Sequence, residues 1–297
     1  MAEWEAIGAP SSAGAHHAGQ ERAPAALRRA GLLDRLRDGG MSIVDGGDLP
    51  VTPFVADPAH PRERNLDGVV AAAIGLADRV ADVVRDGRRP LVLGGDCTLT
   101  LGVMAGFGRI RDDTGLVYVD GDADVGTPEH TESGIFDSMG VAHLLGAGAP
   151  RLAGLNRPGA LVEPARLCLV GCDPREVDAS GHAFLEQRGV GYFAGPDLAG
   201  APEKVAEEAI ARVAGASGPV VVHLDVDVVD SGDLPLGNFP HYDSGVPLDA
   251  VLAALAVLVR HESCAGLVLT EVNPTHDADG TILERYVSGL VSALTGP

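Results

Sequence analysis

Short apolar runs that end in glycine or aspartate alternate along the chain with longer segments whose apolar residues recur at helical spacing. The runs at 5–8, 41–44, 90–93, 115–119, 166–170, 191–193, 219–227 and 264–270 lack a helical period, and several are rich in β-branched residues, so they predict strands. Helices are expected from Pro24 to the glycine pair at 39 and 40, over 66–86, from Thr98 onward, and over 134–146, 179–188, 202–214, 248–260 and 279–294. The two kinds of element alternate without an internal repeat, a low-complexity linker or a break in composition. This order predicts an α/β fold in one domain, residues 1–297, on a mostly parallel sheet with helices on both faces.

Two of the predicted strands run into aspartates. TGLVYVDGDAD (114–124) places Asp120, Asp122 and Asp124 at alternate positions, and PVVVHLDVD (219–227) does the same with Asp225 and Asp227. If the backbone stays extended past the strand ends, alternate side chains share a side. Carboxyl ends of parallel strands are also where sites gather. Five carboxylates would then converge, and each pair of like charges about 4 Å apart repels by roughly 4 kcal/mol at an effective dielectric near ~20. A divalent cation or added protons must offset that. An oxygen-rich shell suits manganese or magnesium.

Composition changes the picture only at the edges. The 297 residues are 45% hydrophobic, enough for a large core, and 42 acidic residues against 22 basic ones give a net charge of −20. Such a field argues against a nucleic-acid or anionic-membrane partner and favours a cationic substrate, although solubility alone also accounts for it. No stretch approaches the ~20 apolar residues of a membrane span. The opening MAEWEAIGAP lacks the basic region and apolar core of a signal peptide, so a cytoplasmic location is expected. Cys97, Cys168, Cys172 and Cys264 show no zinc-type spacing; Cys168 and Cys172 fall in a predicted strand and the turn after it. All but Cys97 read as buried free thiols.

These blocks together resemble the arginase and agmatinase (ureohydrolase) family. IGAPSSAG, GQERAPAALRRAGLLDRL and DGGDLP are similar to its amino-terminal segment, GGDCTLTLG (94–102) to its GGDHS block, and DGDAD (120–124) to its DAHxD block. LDVDVVD (224–230) resembles DVDxxDP, and TEVNP (270–274) matches EVNP. The resemblance implies a three-layer α/β/α sandwich on an eight-stranded, mostly parallel sheet, assembled into trimers or hexamers. It also implies two manganese ions in a shell formed by Cys97, Asp120, Asp122, Asp124, Asp225 and Asp227, with Asp120 and Asp225 bridging and a hydroxide delivered to a guanidinium carbon. Further implied roles are substrate binding by Gly126, Thr131 and Ser133, reading of an α-amino group by Asp173 and Glu176 in a shortened loop, and a grip on the guanidinium by Glu271.

The chain departs from that pattern where it matters most. Cys97 and Asp122 stand where the family has its two histidine ligands, Asp137 replaces a proton-shuttling histidine, and Gly126 replaces an asparagine. Four aspartates and two neutral histidines carry −4, which two divalent ions neutralise. Five aspartates with a thiol carry −5, or −6 with a thiolate, which makes a weaker Lewis acid unless a ligand keeps its proton or a cationic substrate supplies charge. A soft cysteine ligand tilts its site toward zinc or iron, while the bland alternative is a packed thiol. Asp137 reads either as a proton carrier or as a helix N-terminal partner. His16, His17, His130 and His241 fall in loops that could border the site, and each reads first as a surface histidine.

Three functions follow. The first is a metal-dependent amidinohydrolase releasing urea, or a substituted urea, from a guanidino compound other than plain arginine, such as an N-hydroxyarginine or a biosynthetic intermediate. The second is a non-catalytic relative with a weak or absent metal site and a binding or assembly role. The third is metal-free attack by Cys97, which the surrounding carboxylates oppose by holding the thiol protonated.

Overall fold

The computed structural model describes residues 3–155, 159–216 and 218–296. Eight strands, β1 (Trp4–Gly8), β2 (Ile43–Asp48), β3 (Arg89–Leu93), β4 (Gly115–Val119), β5 (Leu167–Cys172), β6 (Gly191–Ala194), β7 (Val220–Asp225) and β8 (Cys264–Thr270), form one sheet. All pairings are parallel, in the order β2-β1-β3-β8-β7-β4-β5-β6. The six inner strands β1, β3, β8, β7, β4 and β5 bury both faces because helices cover both sides, which is why their runs read as continuously apolar, whereas the edge strands β2 and β6 are partly exposed.

Alternation sorts the strand residues into two cores. Leu91, Leu93, Val117, Val119, Val222, Leu224, Leu267 and Leu269 face one layer. Over them lie α1 (Ala23–Arg29), α2 (Leu32–Asp38), α8 (Gly195–Gly200), α9 (Pro202–Ala214), α10 (Leu248–Arg260) and α11 (Thr281–Thr295). Val92, Leu116, Tyr118, Val221 and Val268 face the other layer. That side is covered by α3 (Leu66–Arg85), α4 (Leu99–Gly108), α5 (Gly140–Leu144), α6 (Pro150–Ala153) and α7 (Ala179–Arg188). The expected α/β/α sandwich on eight parallel strands is therefore the observed one.

Several boundaries differ from expectation for local reasons. The helix expected after Pro24 is two, because Gly31 adopts a left-handed conformation (φ 78°) between α1 and α2. The expected strand 41–44 starts later and runs on through the glycines to Asp48, as an edge strand paired only with β1. The expected helix 134–146 reduces to the 3₁₀ turn Asp137–Met139 and the short α5, and Gly134 (φ 69°) packs against the Pro61 carbonyl. Strand 219–227 stops at Asp225, and the 3₁₀ turn Val226–Val228 follows. Cys172 ends β5 rather than lying in the turn beyond it. The short helices α6 and α8 were not anticipated.

Topology places the site. Neighbouring strands β4 and β7 send their onward connections in opposite directions along the sheet, to β5 and to β8 respectively. The crevice opens at such a reversal. Beside it, the turn 94–97 after β3 is clamped by backbone: Gly94 N–H donates to Leu269 O (2.8 Å), Asp96 N–H to Ser11 O (3.1 Å) and Glu271 N–H to Gly95 O (2.8 Å). Asp96, fully buried, accepts from Ser11 Oγ (3.0 Å), Gly14 N (3.1 Å), Thr98 N (3.1 Å) and the Thr98 hydroxyl. A methyl group on Gly95 would lie 1.7 Å from Ser11 O, so this approach admits glycine alone. Gly95→Ala is expected to destabilise the protein by about 3 kcal/mol, the upper range for overpacking a buried site. Urea unfolding should show a lower midpoint with an unchanged slope, and an unaltered midpoint would mean that the clamp is not held in solution.

Candidate active site

The register of the sheet builds the floor of the site in two rows. Tyr118 pairs with His223 and His223 with Val268, and two residues further along, Asp225 pairs with Thr270, with Asp120 following β4 alongside. Both strand-end aspartates then turn the chain in the same way. Asp120 Oδ1 accepts from Asp122 N (2.6 Å), and Asp225 Oδ1 from Asp227 N (2.8 Å), as aspartates at turns do. The expected extended run past the strand end is thus replaced by turns, and Asp124 takes a left-handed φ of 48°. The side chains nevertheless meet. Cys97, Asp120, Asp122, Asp124, Asp225, Asp227, Asp137 and Glu271 all line one cavity of about 390 Å³.

Cys97 is buried at its base. Its Sγ lies 2.5 Å from Asp225 Oδ2, 3.9 Å from Asp120 Oδ2, 3.6 Å from His223 Nε2 and 3.4 Å from Thr270 Oγ1. Its backbone N–H donates to Asp137 Oδ1 (2.9 Å). Asp124 accepts from the Tyr118 hydroxyl (2.7 Å). Glu271, at a left-handed φ of 61°, accepts from Gln20 Nε2 (2.7 Å) through Oε2, while its buried Oε1 has no partner. Of the four non-glycine residues with positive φ among the described residues, Asp124 and Glu271 lie in the site, where such conformations commonly collect.

The expected substrate-binding positions separate. Gly126 and Glu176 line the cavity, and so do His16, His17, Asn238 and Phe239. A side chain at Gly126 would meet Ser138 O at 2.8 Å, so glycine here is also a packing requirement. Thr131 and Ser133 do not line the cavity; their hydroxyls accept from Gly134 N (2.9 Å) and Ile135 N (3.2 Å) within their own loop. Asp173 is buried behind it, paired with Arg175 at 3.0 Å. His130 is exposed, whereas His241, read from the sequence as a surface residue, is only 2% exposed and lies 3.4 Å from Asp122 Oδ2. Sequence reasoning passes over His223 entirely. Its signal was a polar residue two before Asp225 in an apolar strand, on the same face by alternation.

Residues 2–295 match the family model described as Arginase family. The chain belongs to the arginase family. It is 31% identical to human Arginase-1 over 91% of this chain and 84% of that one, and 30% identical to the arginase of Bacillus caldovelox over 91% of each. A solved native structure of the latter, 28% identical in that comparison, covers 100% of this chain and 99% of that one, with a TM-score of 0.87. A structure of Trypanosoma cruzi formiminoglutamase with Mn2+, 17% identical, covers 99% of this chain and 93% of that one at a TM-score of 0.77 and shares the fold. Arginase-family enzymes are hydrolases of carbon–nitrogen bonds in linear amidines, and this chain is one of them.

Electrostatics at this arginase-family site show what a cation must offset. Burial, reinforced by neighbouring carboxylates, pushes Asp120, Asp225, Asp137 and Glu271 well above the usual carboxylate range. Asp227 is raised to about 6 by burial and by Asp122. Burial, then Asp225 and Asp120, also keeps the Cys97 thiol protonated. That removes its nucleophile and counts against the cysteine-attack reading. Burial lowers His223 to about 3, so its imidazole is neutral. For His241 burial works against the charge, but Asp122, Asp227 and Asp173 outweigh it and raise the ring to about 9. At Asp173 the hydrogen bonds from Arg175 overcome burial and hold the carboxyl at about 2.

The donor set fits divalent metal: carboxylate, imidazole and thiol atoms of Cys97, Asp120, His223 and Asp225 lie within 4.8 Å of one another, as do those of Asp122, Asp227 and His241. Without metal, protons do the offsetting. Asp227 and His241 both hold protons in the folded chain that the unfolded chain releases, so folding stability falls as pH rises, for Asp227 from about 4 through about 6 and for His241 from about 6.5 through about 9. Neutral His223 works the other way below about pH 6.5, so melting temperatures of chelator-treated protein should drop from about pH 6.5 to about 8.5, and a rise across that series would contradict this account.

Proposed function

We propose that the protein is a metal-dependent amidinohydrolase that releases urea, or a substituted urea, from a cationic guanidino compound other than plain arginine. The observation that carries the proposal is the meeting of five aspartates and Glu271 around one cavity on an arginase fold. Cys97, Asp120, Asp122, Asp124, Asp225 and Asp227 would hold two divalent ions, manganese in the first instance. Such ions acidify water and stabilise developing negative charge when bound.

The chain's own residues supply the rest. Glu271 Oε1, buried and without a partner, accepts from the guanidinium, while Oε2 is held by Gln20. A carboxylate kept out of water gains more from that cation than an exposed one would. Asp137 accepts from the Cys97 amide through Oδ1, and burial makes it a proton holder facing the cavity, so it hands a proton to the departing amine. Gly126 presents no side chain, and the Thr131 and Ser133 hydroxyls are engaged in their own loop. These positions therefore do not read the far end of the substrate as they would for arginine, and acidic Glu176 and Asp178 at the rim favour a second cationic group. The working unit is the whole chain as a single domain, cytoplasmic and in a homo-oligomer. Among the described residues no helix is long and apolar enough to cross a membrane.

Incubation of manganese-loaded protein with a panel of guanidino compounds, N-hydroxyarginine included, should release urea or a substituted urea from at least one of them faster than from arginine. Glu271→Gln should lower kcat/KM by about 100-fold, the loss of one buried charge-assisted pair. A protein that retains no metal and turns over nothing in the panel would instead fit the binding or assembly role.

A further inference from the structure

Two histidines outside the family blocks stand where ligands are missing. His223 comes from the middle of the β7 run rather than from a loop, and its Nε2 lies 3.6 Å from Cys97 Sγ and 3.6 Å from Asp120 Oδ2. Cys97 Sγ and Asp120 Oδ2 are 3.9 Å apart. Around one tetrahedral ion with bonds of about 2.0–2.3 Å, donor atoms sit roughly 3.3–3.7 Å from one another. These three separations fall close to the edges of a coordination polyhedron, while Cys97 Sγ and Asp225 Oδ2, in contact at 2.5 Å, would have to part for both to bind one ion. The ring is also held for the purpose: Nδ1 is 2.7 Å from Thr100 Oγ1, and the imidazole stacks on Tyr118 at 3.9 Å with the planes 2° apart. Metal-binding histidines characteristically have their second nitrogen tied in this way.

His241 reaches the other half of the cluster from the loop after β7. It is almost wholly buried, yet its Nε2 has no hydrogen-bond partner and lies in a group with Asp122 and Asp227. Its Nδ1 faces Asp173 Oδ2 at 3.7 Å. A second observation ties the ring to the aspartate motif. DGDAD carries Gly121 where the DAHxD block it resembles has alanine, and a methyl group there would lie 2.6 Å from His241 Nε2. Gly121 leaves a space beside Asp122 that the imidazole of His241, from another segment, fills.

We propose that His223 and His241 are metal ligands, His223 with Cys97, Asp120 and Asp225 around one ion and His241 with Asp122 and Asp227 around the other. The inference rests on the reading of the site as a binuclear centre. It gives each ion one imidazole without adding negative charge, and it makes the halves unlike: the sulfur-containing half takes a softer ion such as zinc, while the oxygen-rich half keeps manganese.

X-ray absorption on the zinc-loaded full-length protein tests this without any substitution. The expected spectrum shows imidazole scattering and a zinc–sulfur shell at about 2.3 Å; a spectrum with oxygen ligands alone overturns the assignment. Titration of chelator-treated protein with zinc and with manganese, followed by calorimetry, then separates the two histidines. His223→Gln should weaken the zinc-preferring site at least tenfold, and His241→Gln should weaken the other site by a similar factor. Either variant binding both ions as the parent does overturns the assignment of its histidine. An imidazole-containing centre that releases no urea supports the ligand assignment and removes the hydrolase reading instead.

Discussion

Mutual repulsion among buried carboxylates is the constraint on which this structure turns. Asp120, Asp225, Asp227 and Glu271 are each under a tenth exposed and share one cavity. Carboxylates so close cannot all ionise in a dry site without compensation, which comes from protons, from imidazolium or from metal. The chain carries the first two itself: the raised carboxylates hold protons, and His241 is a buried cation among three aspartates. Divalent ions would replace both. The acidic cluster is tolerable because the fold provides a place where positive charge can always be found.

That place depends on parallel topology. Strands β3, β8, β7 and β4 are adjacent, and all their carboxyl ends open on one edge, so residues separated by more than a hundred positions meet without any long side chain reaching for them. The two turns that follow β4 and β7 are made by the strand-end aspartates themselves, through their own Oδ1 atoms. One oxygen of each carboxylate sets the backbone, and the other stays directed at the cluster. The clamp of Gly95 against Ser11 fixes the height of Cys97 over the same floor, so packing in the loops and chemistry at the site are one arrangement.

Loss of the family histidines reads differently once the structure is in view. Cys97 and Asp122 do not leave an all-anionic shell, because His223 rises through the sheet beneath Cys97 and His241 folds in beside Asp122. Imidazole thus stands on both sides of the acidic cluster. Where substrate binding is expected from the sequence, Thr131 and Ser133 are occupied within their loop, and Asp173 is paired with Arg175.

What the sequence determined by itself was whatever depends on neighbours along the chain. Apolar runs closed by glycine and aspartate marked the strands, their alternation with helical segments marked a parallel α/β sheet, and the spacing of Asp120, Asp122, Asp124, Asp225 and Asp227 marked an acidic site at strand ends. The strands follow from local propensity, and the aspartates meet through turns that the strand-end carboxylates make rather than through a continued extended run. Only the tertiary structure decided the rest, because it depends on what approaches from elsewhere. The helix expected over 134–146 shrinks where Gly134 meets Pro61. The surface reading of His241 fails because Gly121 leaves room for its ring. His223, hidden in a valine run, acquires chemistry only when parallel pairing brings Tyr118 under it and Cys97 against it. A residue's type and spacing are written in the chain, but burial and partnership are properties of the packed sheet.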